Sequence, residues 1–404
     1  MWTTKKRFAV VAAGRGSGKT ELAKRRLVRY LPVRREWSPT RYFYGAPTEG
    51  QAKRIAWESI LALIPKEWIK GTVGLCITTK FNSQLYVVGL DKPHRLEGDQ
   101  WDGGVIDESS DIKPSTFRLS ILPALTWRNG WCWRIGVPKR NGIGAAEFRN
   151  AFETPQDDQE SFTWPSADIL PAHVLAEARL HMDPKDYREQ FEASFETAGG
   201  GIFDTFDAHN IRPCTYDAGK MLCIGSDFNV DPMAWVIAHQ YEKHLEVVDE
   251  LFIRDANTYR ALDILYGRYC HHRGGFAFYG DASSQARKTS ATETDFRIIY
   301  NDPRFMQLGR TIHYSASNPP VLDRFAMTNA LICNANFDRH LFVDPRCVHL
   351  IDDLQNRYYR PGTREPNDVG DLGHITDALG YIIVQLFPMR LYSAGVPEFF
   401  ISRT

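Results

Sequence analysis

Apolar and polar positions along the chain fall into two regimes. In the first half, short unbroken apolar runs alternate with amphipathic stretches. Arg7–Ala13 reads as a buried strand, and Lys19–Tyr30 has helical spacing at Leu22, Leu27 and Tyr30. Arg41–Pro47 is a second β-rich run, followed by a helical pattern over Gln51–Leu63. Thr72–Leu90 reads as a hairpin turning at Asn82-Ser83, while Gly104–Ile106 and Trp131–Pro138 are further strands. Strands separated by helices predict an α/β domain with a mostly parallel sheet. A helical stretch at Pro171–Phe195, ending near Gly199-Gly200-Gly201, is either a connecting subdomain and hinge or a helix completing the first core. The pattern then changes. Met221–Phe228, Met233–Gln240 and Leu245–Ile253 are consecutive β runs with short turns, an antiparallel meander. Thr258–His272 is helical, Phe276–Asp281 is a strand ending in an acid, and His374–Phe387 is an apolar helix. The expected division is 1–165, a helical linker or lid at 166–203, a second domain at 204–390 and a tail at 391–404.

The composition alters this picture little. Across 404 residues the chain is 43% hydrophobic and 24% charged, with Lys+Arg and Asp+Glu both at 49. Net charge therefore neither favours nor excludes nucleic acid. Its distribution says more: residues 1–41 carry twelve Lys and Arg against Glu21 and Glu36, which suits phosphate or an anionic partner, or a solvated helix face at Lys24–Arg29. Seven scattered cysteines without a C-x-x-C pair point to reduced thiols and against a zinc site. With no signal-peptide core and no run approaching the ~20 apolar residues of a membrane span, the expectation is a soluble intracellular protein without a membrane partner.

The first candidate chemistry is the turn after Phe8–Ala13. Gly14, Gly16 and Gly18 permit a tight loop, and Gly18-Lys19-Thr20 opens a helix. Loop and helix N–H groups would then face phosphates, Lys19 would reach the β/γ-phosphates of ATP, and Thr20 would hold Mg²⁺. A Walker A loop, however, has its first glycine where this chain has Ala13. Downstream, a short apolar strand ends in Asp107-Glu108. In such ATPases the strand-terminal Asp holds Mg²⁺ and the following Glu polarises the attacking water.

These motifs resemble the large terminase subunit of tailed bacteriophages. The loop "AGRGSGKT", comprising Ala13, Gly14, Arg15, Gly16, Ser17, Gly18, Lys19 and Thr20, is similar to that family's nucleotide cradle, in which the first glycine is often replaced and an Arg is typical. "YGAPTEGQAKRIAW" (Tyr44–Trp57) looks like the second ATPase motif, and "RLEGDQWDGGVIDE" (Arg95–Glu108) like the Walker B region. "IGVPKRNG" (Ile135–Gly142) resembles the coupling motif, with Val137 where a hydroxyl is usual. The resemblance implies that Arg15 assists nucleotide binding or stabilises charge on the transferring phosphoryl group. In a ring, an arginine supplied in trans would come from Arg118, Arg128, Arg134 or Arg140.

The second half has an acid on its first strand, one ending its fourth and one on a late helix, the order of the ribonuclease H-like nuclease fold. "SDFNVDPMA", "YGDAS" and "HITDALGY" look like the terminase nuclease motifs. Two Mg²⁺ or Mn²⁺ ions bound by converging carboxylates would cut a phosphodiester, with Asp227, Asp281 and Asp377 as ligands. Asp231 either joins them or makes the turn before Pro232. Glu250 either approaches the metals from the neighbouring strand or pairs with an Arg. His374 suits a cap or support for the acids better than catalysis, and Asp368 and Asp371 suit a solvated loop. By resemblance, the chain would be an ATP-driven motor in the host cytoplasm, moving double-stranded DNA into procapsids and cutting concatemers. Its partners would be portal, procapsid and small terminase subunit, with a homo-oligomeric ring on the portal and a monomer in isolation. A repair-type helicase-nuclease or recombinase would use the same parts without a capsid.

Overall fold

A computed structural model describes residues 1–196, 200–282, 293–314, 317–360, 363 and 365–388. Gly199 and the tail at 391–404 lie outside the described residues. The chain divides into two compact units, Met1–Leu175 with Lys185–Ala198, and Ala176–Pro184 with Gly199–Thr404.

The first unit is built on one eight-stranded sheet. Its strands are β1 (Phe8–Ala13), β2 (Thr40–Ala46), β3 (Ile69–Val73), β4 (Cys76–Thr79), β5 (Ser83–Gly89), β6 (Gly103–Ile106), β7 (Trp131–Gly136) and β8 (Gln159–Trp164), in the order β3-β4-β5-β2-β6-β7-β1-β8. From β5 to β8 neighbouring strands run parallel. Every residue of β1, β6 and β7 is buried, which is why these strands read as continuous apolar runs and not as alternating ones. Strand β7 lies between β1 and β6, so the glycine loop after β1 and the acids after β6 emerge at the same sheet edge.

The expected hairpin at Thr72–Leu90 is a three-stranded meander. Its turns fall at Gly74 and Asn82, both with positive φ. The helix expected at Pro171–Phe195 is two, Ala172–His181 and Pro184–Phe191. Pro184 ends the first because the residue before a proline is disfavoured in helical conformation.

At the opposite sheet edge, Asp102 is fully buried and organises its surroundings. It accepts from the Arg41 N–H and the Arg128 guanidinium at 2.8 Å each and from the Trp37 indole at 2.6 Å. Removing one partner of a buried pair strands the other charge. Asp102→Asn is therefore expected to cost about 3 kcal/mol, read as a melting temperature lower by about 6–10 °C. A melting curve unchanged to within about 1 °C would remove Asp102 from that role.

The second unit has a six-stranded mixed sheet. Its strands are β9 (Leu222–Asp227), β10 (Met233–Gln240), β11 (Leu245–Ile253), β12 (Phe276–Gly280), β13 (Arg310–Tyr314) and β14 (Leu341–Val343), in the order β13-β12-β9-β10-β11-β14. The meander β9-β10-β11 is antiparallel, and β12 lies parallel to β9. Alternating side chains feed two cores. Cys223, Ala234, Val236 and Ala277 pack with helices Val321–Ile332, Val348–Asn356 and His374–Leu386. Leu222, Ile224, Trp235 and Phe278 pack with helix Thr258–Tyr269 and with Phe296 and Phe305. No helix among the described residues is long and apolar enough to cross a membrane.

Candidate functional site

At the first site the Ala13 question has a geometric answer. Ala13 is the last residue of β1, fully buried and in register with Trp164 of β8, and it lies outside the positive-φ positions. An extended backbone accepts a methyl group. The glycines behind it are constrained differently. Gly16 and Gly18 have φ of 70° and 78°, the left-handed region. A Cβ on Gly14 would come within 2.3 Å of Ser166 Oγ and 2.7 Å of the Phe191 carbonyl. Helix Pro184–Phe191 thus packs directly on the loop, and its Gln190 carbonyl accepts the Arg15 N–H. Ser166 Oγ donates to the Arg15 carbonyl at 2.6 Å and the Trp164 indole to the Ser17 carbonyl at 3.0 Å. The Arg15 side chain is left exposed.

Beyond the loop, Lys19 Nζ donates to the Gly14 carbonyl at 3.2 Å. Burial pulls its pKa down, against the charges of Glu108 and Asp107. Thr20 Oγ1 donates to Asp107 Oδ2 at 2.9 Å, and Tyr44 OH donates to the same oxygen. Burial raises the Asp107 pKa and Glu108 adds to the shift, so this carboxylate is short of positive charge. Glu108 is in a left-handed conformation at φ 51°, unusual for a residue with a Cβ. Burial pushes its carboxyl up, but Lys139 and Lys19 outweigh this and hold it below the ordinary range. Lys139 Nζ lies 3.2 Å from Glu108 Oε2 and also binds Asp111. The buried Ser17 hydroxyl has no hydrogen-bond partner among the described residues. Open donors in a glycine cradle, with a hydroxyl and carboxylate converging beyond it, fit a nucleotide with a hard divalent cation.

Four arginines were open as trans-acting groups. Arg128 is bound to Asp102, Arg134 to Glu147, and Arg140 to Asp186 and Glu189. Arg118 is the exposed one of the four. Val137 is buried, and its carbonyl accepts from Ser110 Oγ at 2.7 Å.

At the second site, Asp227 ends β9 and Asp281 follows β12. The pairing Ser226↔Gly280 brings both out side by side. Asp377 stands in the first turn of helix His374–Leu386, which packs across β9. The three interact electrostatically. Burial raises the Asp227 pKa, a hydrogen bond from His374 opposes this, and the charges of Asp377 and Asp281 raise it further. His374 Nδ1 lies 2.9 Å from Asp227 Oδ2, and this contact lifts the imidazole pKa. Asp377 Oδ1 accepts Arg357 Nη1 at 2.9 Å, while its Oδ2 has no hydrogen bond among the described residues. Among those residues no three His, Cys, Asp or Glu side chains stand close enough to hold a metal as they are. The donor set still suits a hard cation: mutual repulsion among carboxylates at one sheet end is what such an ion relieves.

Two candidates are corrected. Glu250 neither joins the acids nor pairs with an Arg. It is buried and accepts the His349 and Leu350 N–H groups at 2.9 Å, capping helix Val348–Asn356, with His349 Nδ1 at 2.7 Å. Asp231 is on the exposed turn, 3.2 Å from Arg254 Nη1. Asp371 also pairs with Arg254, and Asp368 binds the buried Arg357, both while remaining exposed as expected. Tyr44, Lys139, Arg324 and Arg357 join these sites through the fold. Each lies inside an apolar or basic run whose pattern carries no sign of where the polar tip points.

One chain thus joins a P-loop ATPase-type α/β unit to a ribonuclease H-like mixed-sheet unit. In sequence and fold it is similar to phage large terminase subunits. It is 26% identical over 163 residues to the large terminase subunits of Thermus phage G20c and Thermus virus P23-45, and this match spans 34% of the chain and 34% of those proteins. It is 25% identical over 317 residues to that of Escherichia phage T5, covering 72% of the chain and 66% of that protein. The match thus takes in about a third of the length of the Thermus relatives. The large terminase of a thermophilic bacteriophage superposes with a TM-score of 0.56 at 14% identity, covering 94% of each chain. That same terminase in complex with ADP superposes with a TM-score of 0.55, covering 95% of this chain and 96% of that one. No protein-family model matches the chain.

Proposed function

We propose that the chain is the motor and nuclease subunit of a viral DNA-packaging machine, acting in the host cytoplasm. It would couple ATP hydrolysis to translocation of double-stranded DNA into procapsids and cut concatemers. The observation that carries this reading is the presence, in one chain, of a phosphate cradle facing Asp107-Glu108 and of three acids gathered at one sheet end.

In the ATPase unit, the Gly14–Thr20 backbone and Lys19 bind the phosphates, and Arg15 reaches the nucleotide from the exposed side of the loop. Thr20 and Asp107 would hold Mg²⁺, which would supply charge neutralisation at the transferring group. Glu108, released from Lys139, orients water for attack. In the nuclease unit, Asp227, Asp281 and Asp377 would hold two Mg²⁺ or Mn²⁺ ions, which would supply Lewis-acid chemistry for phosphodiester hydrolysis. His374 orients Asp227, and Arg357 fixes Asp377 through Oδ1. Domain bounds of 1–165, 166–203 and 204–390 serve this division of labour. Portal, small terminase subunit and a ring of copies of this chain are its partners, with Arg118 free to act across subunits.

The test is ATP-dependent protection of duplex DNA from DNase when purified procapsids are added. Protection that requires both ATP and procapsids is expected. Unwinding of a forked duplex with no protection would favour a repair helicase-nuclease instead.

A further inference from the structure

Two buried guanidiniums approach Asp377, and they differ in one respect. Arg357 is saturated: its nitrogens donate to Asp377, Asp368, Thr376 Oγ1 and the Gly373 carbonyl. Arg324, on helix Val321–Ile332, is only 6% exposed, yet its Nε and Nη1 have no hydrogen-bond partner among the described residues. Nη1 stands 3.6 Å from Asp377 Oδ1, too far for a hydrogen bond, and that oxygen is already taken by Arg357. The guanidinium lies over the Tyr381 ring at 4.8 Å. Tyr381 in turn senses Asp377, Asp281 and Asp227, whose charges raise its pKa beyond what burial does, and Arg324, which lowers it. The guanidinium therefore stands beside Asp377 and over a ring on which all three acids act electrostatically.

A buried cation with unmade hydrogen bonds is costly, and native structures keep one where water, an ion or a ligand completes it; Arg324 alone among the described arginines has two such nitrogens. Donors beside a metal-binding carboxylate cluster need an anion that brings its own oxygens. A phosphodiester does so, and the guanidinium fork matches phosphate better than any other side chain. We infer that Arg324 is a catalytic residue of the nuclease centre that donates to a non-bridging oxygen of the DNA phosphodiester, where charge accumulates as water attacks phosphorus. This rests on the nuclease reading above. Arg357 is its structural counterpart: it positions Asp377 and leaves Arg324 for substrate.

The experiment uses the full chain, supercoiled plasmid and Mn²⁺. Arg324→Met keeps the length and the packing on Tyr381 and removes the charge. Cutting is expected to fall about 100-fold, mainly in kcat. Mn²⁺ affinity by calorimetry and ATP turnover should be unchanged, and the melting temperature equal or higher because a buried guanidinium with unmade hydrogen bonds has gone. Cutting at the parent rate would overturn the assignment. So would lost cutting accompanied by a clear fall in melting temperature, which would make Arg324 a structural residue. If the parent chain does not cut plasmid at all, the nuclease reading falls and the inference falls with it; a parent that cuts beside an equally active variant sinks the arginine alone.

Discussion

Glu108→Gln is expected to slow ATP turnover about a thousand-fold while leaving nucleotide affinity close to that of the parent. The two effects separate because the residues are separate. Affinity would rest on the Gly14–Thr20 backbone and on Lys19, whose ammonium already lies on the Gly14 carbonyl. Turnover would rest on a carboxylate able to take a proton from water. Glutamine keeps the length and planarity of glutamate and lacks that capacity. Lys139 and Lys19 hold the Glu108 pKa below the ordinary range despite burial. The carboxylate of the resting protein therefore stays ionised throughout the neutral range. The left-handed backbone at Glu108 adds weight, since such a conformation persists only where the surroundings enforce it. Single-turnover hydrolysis of labelled ATP, with affinity measured by a fluorescent analogue, decides the matter. Turnover within about threefold of the parent would remove Glu108 from the role of base.

What could be read from the sequence divides by the kind of information a side chain carries. The apolar run Phe8–Ala13 announces an interior parallel strand because both its faces are buried. The order of Asp227, Asp281 and Asp377 is informative about position because strand ends and a helix start fix the backbone, and strand pairing sets Asp227 beside Asp281. Direction is harder. Glu250 has a plausible location, one strand over from β10, but its carboxylate serves a helix N-terminus that no local pattern predicts. Asp231 sits four residues from Asp227 and is turned onto Arg254. Lys139 lies in a recognisable segment, yet its contact with Glu108 spans thirty-one positions. Arg324, in a helix otherwise facing the core, reads as an ordinary surface arginine until its burial is known.

The largest effect at the second site is expected of Asp227→Asn. Asparagine fits the same space, still accepts from His374 and removes one negative charge from a cluster in which three repel one another. In the absence of metal the variant should therefore be at least as stable as the parent, and its melting temperature should not fall. Its cutting of plasmid DNA in Mn²⁺ should drop by three orders of magnitude or about that, because a neutral amide is a poor ligand for hard cations and the activated water depends on them. ATP hydrolysis, which belongs to the other unit, should be untouched. The parent also carries a pH signature. The Asp227 pKa is raised above its unfolded value, so folded protein holds that proton more tightly. Its contribution to stability is full below the unfolded aspartate pKa and is lost as pH rises through the folded one. Asp227→Asn cannot titrate, so its melting temperature should lose less than the parent's across that acidic window. A variant that cuts as fast as the parent would take Asp227 out of the metal site, whereas slow cutting with an unchanged pH slope would leave the ligand role standing and refute the burial argument.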